Sequence, residues 1–244
     1  MKRPEMILFD YGHTLLYEPD WDAERGDREL LRYAVKNPKN CGVEDIRREV
    51  AAVFGEIERV RDVMGYDISC VVGDRLVYEH LGLVFSLTPL EQEIVFWTAA
   101  CPGAVMSGAD KLLDFLNDEG IRTAVLSNNG WSGEAIRNRF DRLLPQNRFA
   151  FVMSSADYMI RKPDPRLFEI ALLKAELDAS AVWYVGDSLR ADVYGAHAAG
   201  LFPVWYAEET MESRNDDAGI PRPDFDYLRI GRLDDLRRIL AELD

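Results

Sequence analysis

The chain of 244 residues is 48% hydrophobic and carries 43 acidic against 29 basic side chains, for a formal net charge of -14. That length and apolar content suffice for one large domain or a domain with an insertion, while the excess of acids disfavours a polyanionic partner such as DNA, whose phosphates need clustered cations. Cys41, Cys70 and Cys101 are widely spaced and form no C-x-x-C pair, as suits free thiols in a reducing compartment; with no apolar run near the ~20 residues of a membrane span and a first strand close to Met1, a cytoplasmic protein without a membrane segment is expected.

The run Met6-Ile7-Leu8-Phe9 predicts a short buried strand that delivers Asp10 to its carboxyl end, ahead of a turn through Gly12. From residue 21 to residue 100 the pattern is helical throughout, with no convincing strand. Ile46, Val50, Val53, Ile57, Val60 and Met64 alternate at spacings of four and three, the mark of a long amphipathic helix with one apolar stripe. Leu30, Leu31 and Val35 before it, and Leu76, Val77 and Leu81 after it, are candidates to cover that stripe. Thr88-Pro89-Leu90-Glu91 is a capping box with proline at the first helical position. Tyr66, Tyr78 and Trp97 are expected in the core of this helical region.

Beyond residue 100 the rhythm changes to strands alternating with helices, which indicates an α/β fold, a doubly wound parallel sheet of Rossmann-like type. The strands predicted there are residues 120–127 ending in Ser127, residues 149–153, residues 181–187 ending in Asp187, and residues 202–206. Residues 208–223, rich in charge, proline and glycine, read as an exposed loop, and Leu236, Ile239, Leu240 and Leu243 define one face of a final helix. In a parallel sheet Asp10, Ser127 and Asp187 all lie at one edge, facing one crevice. Lys162 joins them just before a helix capped by Asp164 and opened by Pro165. Two acids that hold Mg²⁺ through oxygen, one of them able to attack phosphorus, together with a hydroxyl and an ammonium that stabilise the transferring group, suit phosphoryl transfer.

These residues resemble the haloacid dehalogenase-like (HAD) hydrolase superfamily over nearly the whole chain. Asp10-Tyr11-Gly12-His13-Thr14 matches its first motif, Ser127 the second, Lys162 the third, and Gly186-Asp187-Ser188-Leu189-Arg190-Ala191-Asp192 the fourth. The resemblance implies a Rossmann-like core of residues 1–18 and 101–244 with a helical C1 cap of residues 19–100 inserted between the first two motifs. It implies Asp10 as the nucleophile that forms an aspartyl-phosphate on a small phosphorylated metabolite. Ser127 would bind the phosphoryl oxygens, Lys162 would balance charge, Asp10, Asp187 and the Gly12 carbonyl would hold Mg²⁺, and Asp192 would orient Lys162 or sit in the outer shell of the metal. Read from the residues themselves, Asn128 and Asn129 either offer amide groups to the substrate or serve the left-handed turn geometry that asparagine adopts readily.

One position departs from the pattern. Phosphatases of the family usually carry a second Asp two residues after the nucleophile, as the group that protonates the leaving group and then activates water; here that residue is Gly12. Three readings stay open. His13, Tyr17, Glu18 or Asp20 substitutes for it; or the leaving group needs no proton, as in an acyl phosphate, or the bond cleaved is C–P or C–halogen; or the chain is a catalytically weak protein that keeps the pocket for phosphate binding or regulation. A C–P cleaving enzyme is expected to need a cap lysine, and Lys36 and Lys39 are the two available in that region.

Overall fold

Strand β1 (Met6–Phe9) carries no polar side chain and is buried along its whole length, which commits it to the middle of a sheet covered on both faces. It pairs in parallel with β6 (Arg122–Ser127) on one side and β8 (Val182–Gly186) on the other. With β7 (Val152–Ser154), β9 (Phe202–Tyr206) and β10 (Leu228–Ile230), the sheet has six parallel strands in the order β10-β9-β8-β1-β6-β7. The computed structural model describes residues 1–207 and 219–243, and the side chains of all of these except residues 56–60 and 62. Most of the expected loop of residues 208–223, namely 208–218, therefore lies outside the described residues, as do the side chains of Ile57 and Val60.

Alternation along the strands builds two cores. Ile7, Phe9, Val125 and Val185 point to the face covered by α5 (Ala109–Asp118), α6 (Gly133–Leu143) and α9 (Leu233–Ala241). Met6, Leu8, Leu126 and Tyr184 point to the face covered by α7 (Pro165–Ala175) and α8 (Gly195–Ala198). The chain runs from β1 out to β6 and β7, then returns to β8 on the other side of β1. Strand β1 thus marks the switch in winding direction, and the crevice beyond its carboxyl end is where an open sheet of this kind binds ligands. Strand β10 was not among the expected strands; its three residues, next to an irregular segment, are too short for a periodic signal.

Four helices, α1 (Ala23–Leu31), α2 (Val43–Met64), α3 (Cys70–Leu81) and α4 (Pro89–Ala100), lie between the short strands β2 (Leu16–Tyr17) and β5 (Ala104–Val105), which pair antiparallel. They share a cluster of their own containing Leu30, Ile46, Val77, Tyr78 and Phe96. Thr88 and Glu91 form the expected reciprocal cap on α4. The region is not wholly helical, because β3 (Ala34–Lys36) and β4 (Val84–Phe85) form an antiparallel pair. That pair turns Val35 outward, 68% exposed, so it covers nothing. The α2 stripe is buried at Ile46 but runs out at Met64, 56% exposed, and Leu76 and Tyr66 are also largely exposed. Met64 is the last residue of α2, Tyr66 follows its Gly65 cap, and Leu76 lies within α3 but off the face that buries Gly73, Val77 and Tyr78.

Phe140 is fully buried and meets both Tyr11 and Phe149 edge to face. Phe140→Ala is expected to lower unfolding stability by about 3–5 kcal/mol in urea denaturation. Asp74 on α3 lines a pocket of about 230 Å³ with Tyr78, Phe85 and Glu93. Burial, with repulsion from Glu93 and Asp27, lifts its carboxyl from the usual 3.8 to about 7. An acid with a raised folded pKa loses stabilisation as pH climbs from its unfolded value through its folded one. Asp74→Asn should accordingly raise the melting temperature at pH 8, with the gain shrinking toward pH 4 in thermal melts across that range.

Candidate active site

The end of β1 places Asp10 in the crevice, 7% exposed, where Lys162 Nζ donates to its Oδ1 at 2.9 Å. The same ammonium donates to Asp192 Oδ1 at 2.6 Å and to the Tyr184 hydroxyl at 2.6 Å. An ammonium has three N–H groups, so all three are engaged. Burial alone would pull the Lys162 pKa down, but the carboxylates of Asp10 and Asp192 outweigh it and hold the group raised and charged. The Tyr184 hydroxyl in turn donates to the carbonyl of Leu126 at 2.6 Å. Its hydroxyl, buried with two partners on β6 and Lys162, fixes where the ammonium sits.

Asp192 has both oxygens committed, Oδ1 to Lys162 and Oδ2 to the Ser188 backbone N–H at 2.9 Å. It packs against the end of β8 in a space that a side chain would fill, since a Cβ on Gly186 would lie 2.3 Å from its Oδ2. Asp192 is thus in direct contact with Lys162. Asn128 also serves Lys162. Its Oδ1 accepts from the Lys162 backbone N–H at 2.7 Å and its Nδ2 donates to the Lys162 carbonyl at 2.9 Å. The side-chain amide expected to face a substrate is thus clasped to the main chain of Lys162. Asn129 likewise accepts from the Trp131 N–H in a local turn.

Asp10, Gly12, His13, Tyr17, Glu18, Ser127 and Asn128 line one pocket of about 180 Å³. Asp187, which is not among the residues lining that pocket, directly follows β8 and is half-buried. Carboxylate oxygens of Asp10, Asp187 and Asp192 come within 4.8 Å of one another. A set made only of hard oxygen donors fits Mg²⁺. Asp192 already accepts through both of its oxygens, from Lys162 and from Ser188.

Two further residues belong to the site and carry only a faint sequence signal. Arg139 occupies a buried position on the apolar stripe of α6 beside Ala135, Ile136 and Phe140. Its Nη2 donates to the carbonyls of Trp97 and Cys101 at 2.9 and 2.7 Å, and its Nη1 to Glu18 Oε1 at 3.2 Å. The guanidinium lies 3.6 Å over the Trp97 ring. Glu18 Oε1 also accepts from Tyr11 Oη and Trp97 Nε1, each at 3.0 Å. A charged residue on an otherwise apolar stripe was the clue to Arg139. For Tyr184 it was a hydroxyl inside a buried strand.

The helical segment is seated beside this pocket. The Asp67 carboxylate accepts from Ser155 Oγ, the Cys70 N–H donates to the Gly130 carbonyl at 2.8 Å, and Glu93 on α4 accepts from Ser132 at the start of α6. Among the described residues no helix is long and apolar enough to cross a membrane.

Comparison with known proteins finds likeness in sequence and in fold. A family profile described as haloacid dehalogenase-like hydrolase matches residues 103–205. Pyrimidine 5'-nucleotidase PynA of Streptococcus pneumoniae is 27% identical over 217 residues, covering 86% of this chain and 86% of that protein. Glyceraldehyde 3-phosphate phosphatase of Pyrococcus abyssi is 32% identical over 101 residues, covering 41% of each. The crystal structure of a HAD phosphatase from Thermococcus onnurineus aligns with a TM-score of 0.60 over 100% of this chain and 99% of that one, at 20% identity, a likeness of fold.

Removing the ammonium would leave Asp10 and Asp192 buried without a counter-ion. Lys162→Met is expected to cost about 3–5 kcal/mol of stability at pH 8. Because uncompensated burial raises the folded pKa of such acids, the loss should diminish as pH is lowered. Urea titrations of wild type and variant at pH 5 and pH 8 measure both effects.

Proposed function

The chain belongs to the haloacid dehalogenase-like hydrolase superfamily, and from that premise we propose that it is a Mg²⁺-dependent phosphatase of small phosphorylated metabolites. The observation that carries this proposal is the Asp10–Lys162–Asp192 arrangement at the switch point of the sheet, beside a third acid, Asp187. Asp10 would attack phosphorus, breaking the bond to the leaving oxygen and forming an aspartyl-phosphate. Lys162 holds the carboxylate in place and offsets its charge, and Asp192, Tyr184 and Asn128 hold Lys162. Ser127, buried at the end of β6, would donate its hydroxyl to a phosphoryl oxygen. Asp10, Asp187 and the main chain of Gly12 would hold magnesium, which neutralises phosphoryl charge when bound.

In this proposal residues 19–100 form a helical cap over a core of residues 1–18 and 101–244. Their separate apolar cluster and their seating on residues 130, 132 and 155 support that division. The phosphatase names of the relatives support phosphate ester hydrolysis over other bonds. C–P cleavage by a cap lysine is disfavoured: Lys36 and Lys39 are both exposed, Lys39 Nζ donates to the His80 carbonyl at 2.9 Å, and neither lines the pocket.

A phosphometabolite screen with and without Mg²⁺ tests the proposal on wild type, Asp10→Asn and Gly12→Asp. Turnover should be slow, metal-dependent and absent in Asp10→Asn. Gly12→Asp should raise it by about 10²–10⁴-fold by restoring the missing acid. Wild-type activity in Asp10→Asn would refute the nucleophile.

A further inference from the structure

With glycine at position 12, the proton that water must lose when it attacks an aspartyl-phosphate has no acceptor in the usual place. The titratable side chains lining the pocket are Asp10, Tyr11, His13, Tyr17 and Glu18. Asp10 is the attacking group itself. The Tyr11 hydroxyl is held protonated, because burial and the neighbouring Glu18 charge raise its pKa, and it donates to Glu18 at 3.0 Å. Glu18 differs from the others in being fixed by its surroundings. Three donors, Tyr11 Oη, Trp97 Nε1 and Arg139 Nη1, converge on its Oε1 within 3.2 Å. Its Oε2 accepts from none of the described residues, and the side chain is one-third exposed toward a pocket it shares with Asp10.

A flexible glutamate held by one oxygen in this way has few rotamers left to lose and presents the other oxygen to water. The buried guanidinium of Arg139 that holds Oε1 is itself fixed by two carbonyls and the Trp97 ring. We propose that Glu18 is the general base that replaces the missing acid of position 12, with Arg139 as the residue that positions it. The proposal rests on the phosphatase function above. In the hydrolytic half-reaction a water oxygen bonds to phosphorus while the phosphorus–Asp10 oxygen bond breaks and its electron pair returns to the carboxylate. The proton of the attacking water passes to Glu18 Oε2 and then to solvent. Inorganic phosphate is the product.

The role separates the two half-reactions and so can be tested. p-Nitrophenyl phosphate releases p-nitrophenolate without needing a proton, so formation of the phosphoenzyme on it does not require Glu18. Glu18→Gln keeps an oxygen for Arg139, Tyr11 and Trp97 but cannot take a proton. With Mg²⁺ and this probe its steady-state kcat should fall by about 10²-fold or more, with a burst of p-nitrophenolate. Intact mass after acid quench should show a phosphorylated chain that is scarce in wild type. In the Gly12→Asp background the same substitution should cost little, because the restored aspartate takes over the proton.

An unchanged kcat in Glu18→Gln overturns the proposal, as does an equal loss in both backgrounds or a loss without phosphoenzyme accumulation, each of which denotes a structural role. If neither wild type nor Gly12→Asp hydrolyses the probe, the phosphatase function fails together with this proposal. That result is distinct from one in which both turn over and Glu18→Gln equals wild type.

Discussion

The ammonium of Lys162 is the interaction on which the site depends. Its three bonds run to Asp10 at the end of β1, Tyr184 within β8 and Asp192 after β8, while Asn128 after β6 grips its backbone from both sides. Four separate stretches of chain are thereby referred to one residue. Charges this deeply buried are tolerated only when nearly every donor and acceptor is matched, so a shift in any one stretch unbalances the rest. The arrangement is weak as a source of stability and strong as a constraint on geometry. It holds the Asp10 carboxylate in one orientation before anything binds.

Much of this was legible in the sequence because a parallel sheet converts linear order into place. A buried run followed by an acid is readable by itself, and two such runs with β6 between them in sequence must open on the same edge. Asp10, Ser127 and Asp187 were found that way, and Lys162 by its position before a proline-opened helix. Partners fixed by tertiary contact were harder to see. Tyr184 reads as one more apolar strand residue, since only its hydroxyl separates it from phenylalanine. Arg139 reads as a surface residue of an amphipathic helix until α4 and the segment before α1 close over it. Asn128 was assigned to a substrate from its location, whereas its partner is the main chain of Lys162, a contact across 34 residues.

The helical segment shows the complementary limit. Periodicity identified α2 and the capping box identified α4, both local properties of the chain. Which residues of a periodic stripe are covered is not local. Met64 and Leu76 keep the right spacing and lie exposed, and Val35 falls on a short strand pair that no run of its length could announce. Gly12 is the opposite case, a single residue whose departure from the motif is visible in the sequence while its chemical consequence is not. Its significance emerges only from the groups that share its pocket.

The two chain crossings between the sheet and the helical segment converge on Arg139. The entering strand presents Glu18, the departing one presents the carbonyls of Trp97 and Cys101, and Cys101 Sγ donates directly to the Pro19 carbonyl at 2.8 Å. Arg25 adds a second tie, donating to the carbonyls of Asp20 and Ala100. Two polypeptide strands fastened together at this many points cannot slide past one another. Glu18 sits among these fastenings, so its place beside the pocket is set by the joint between the two crossings.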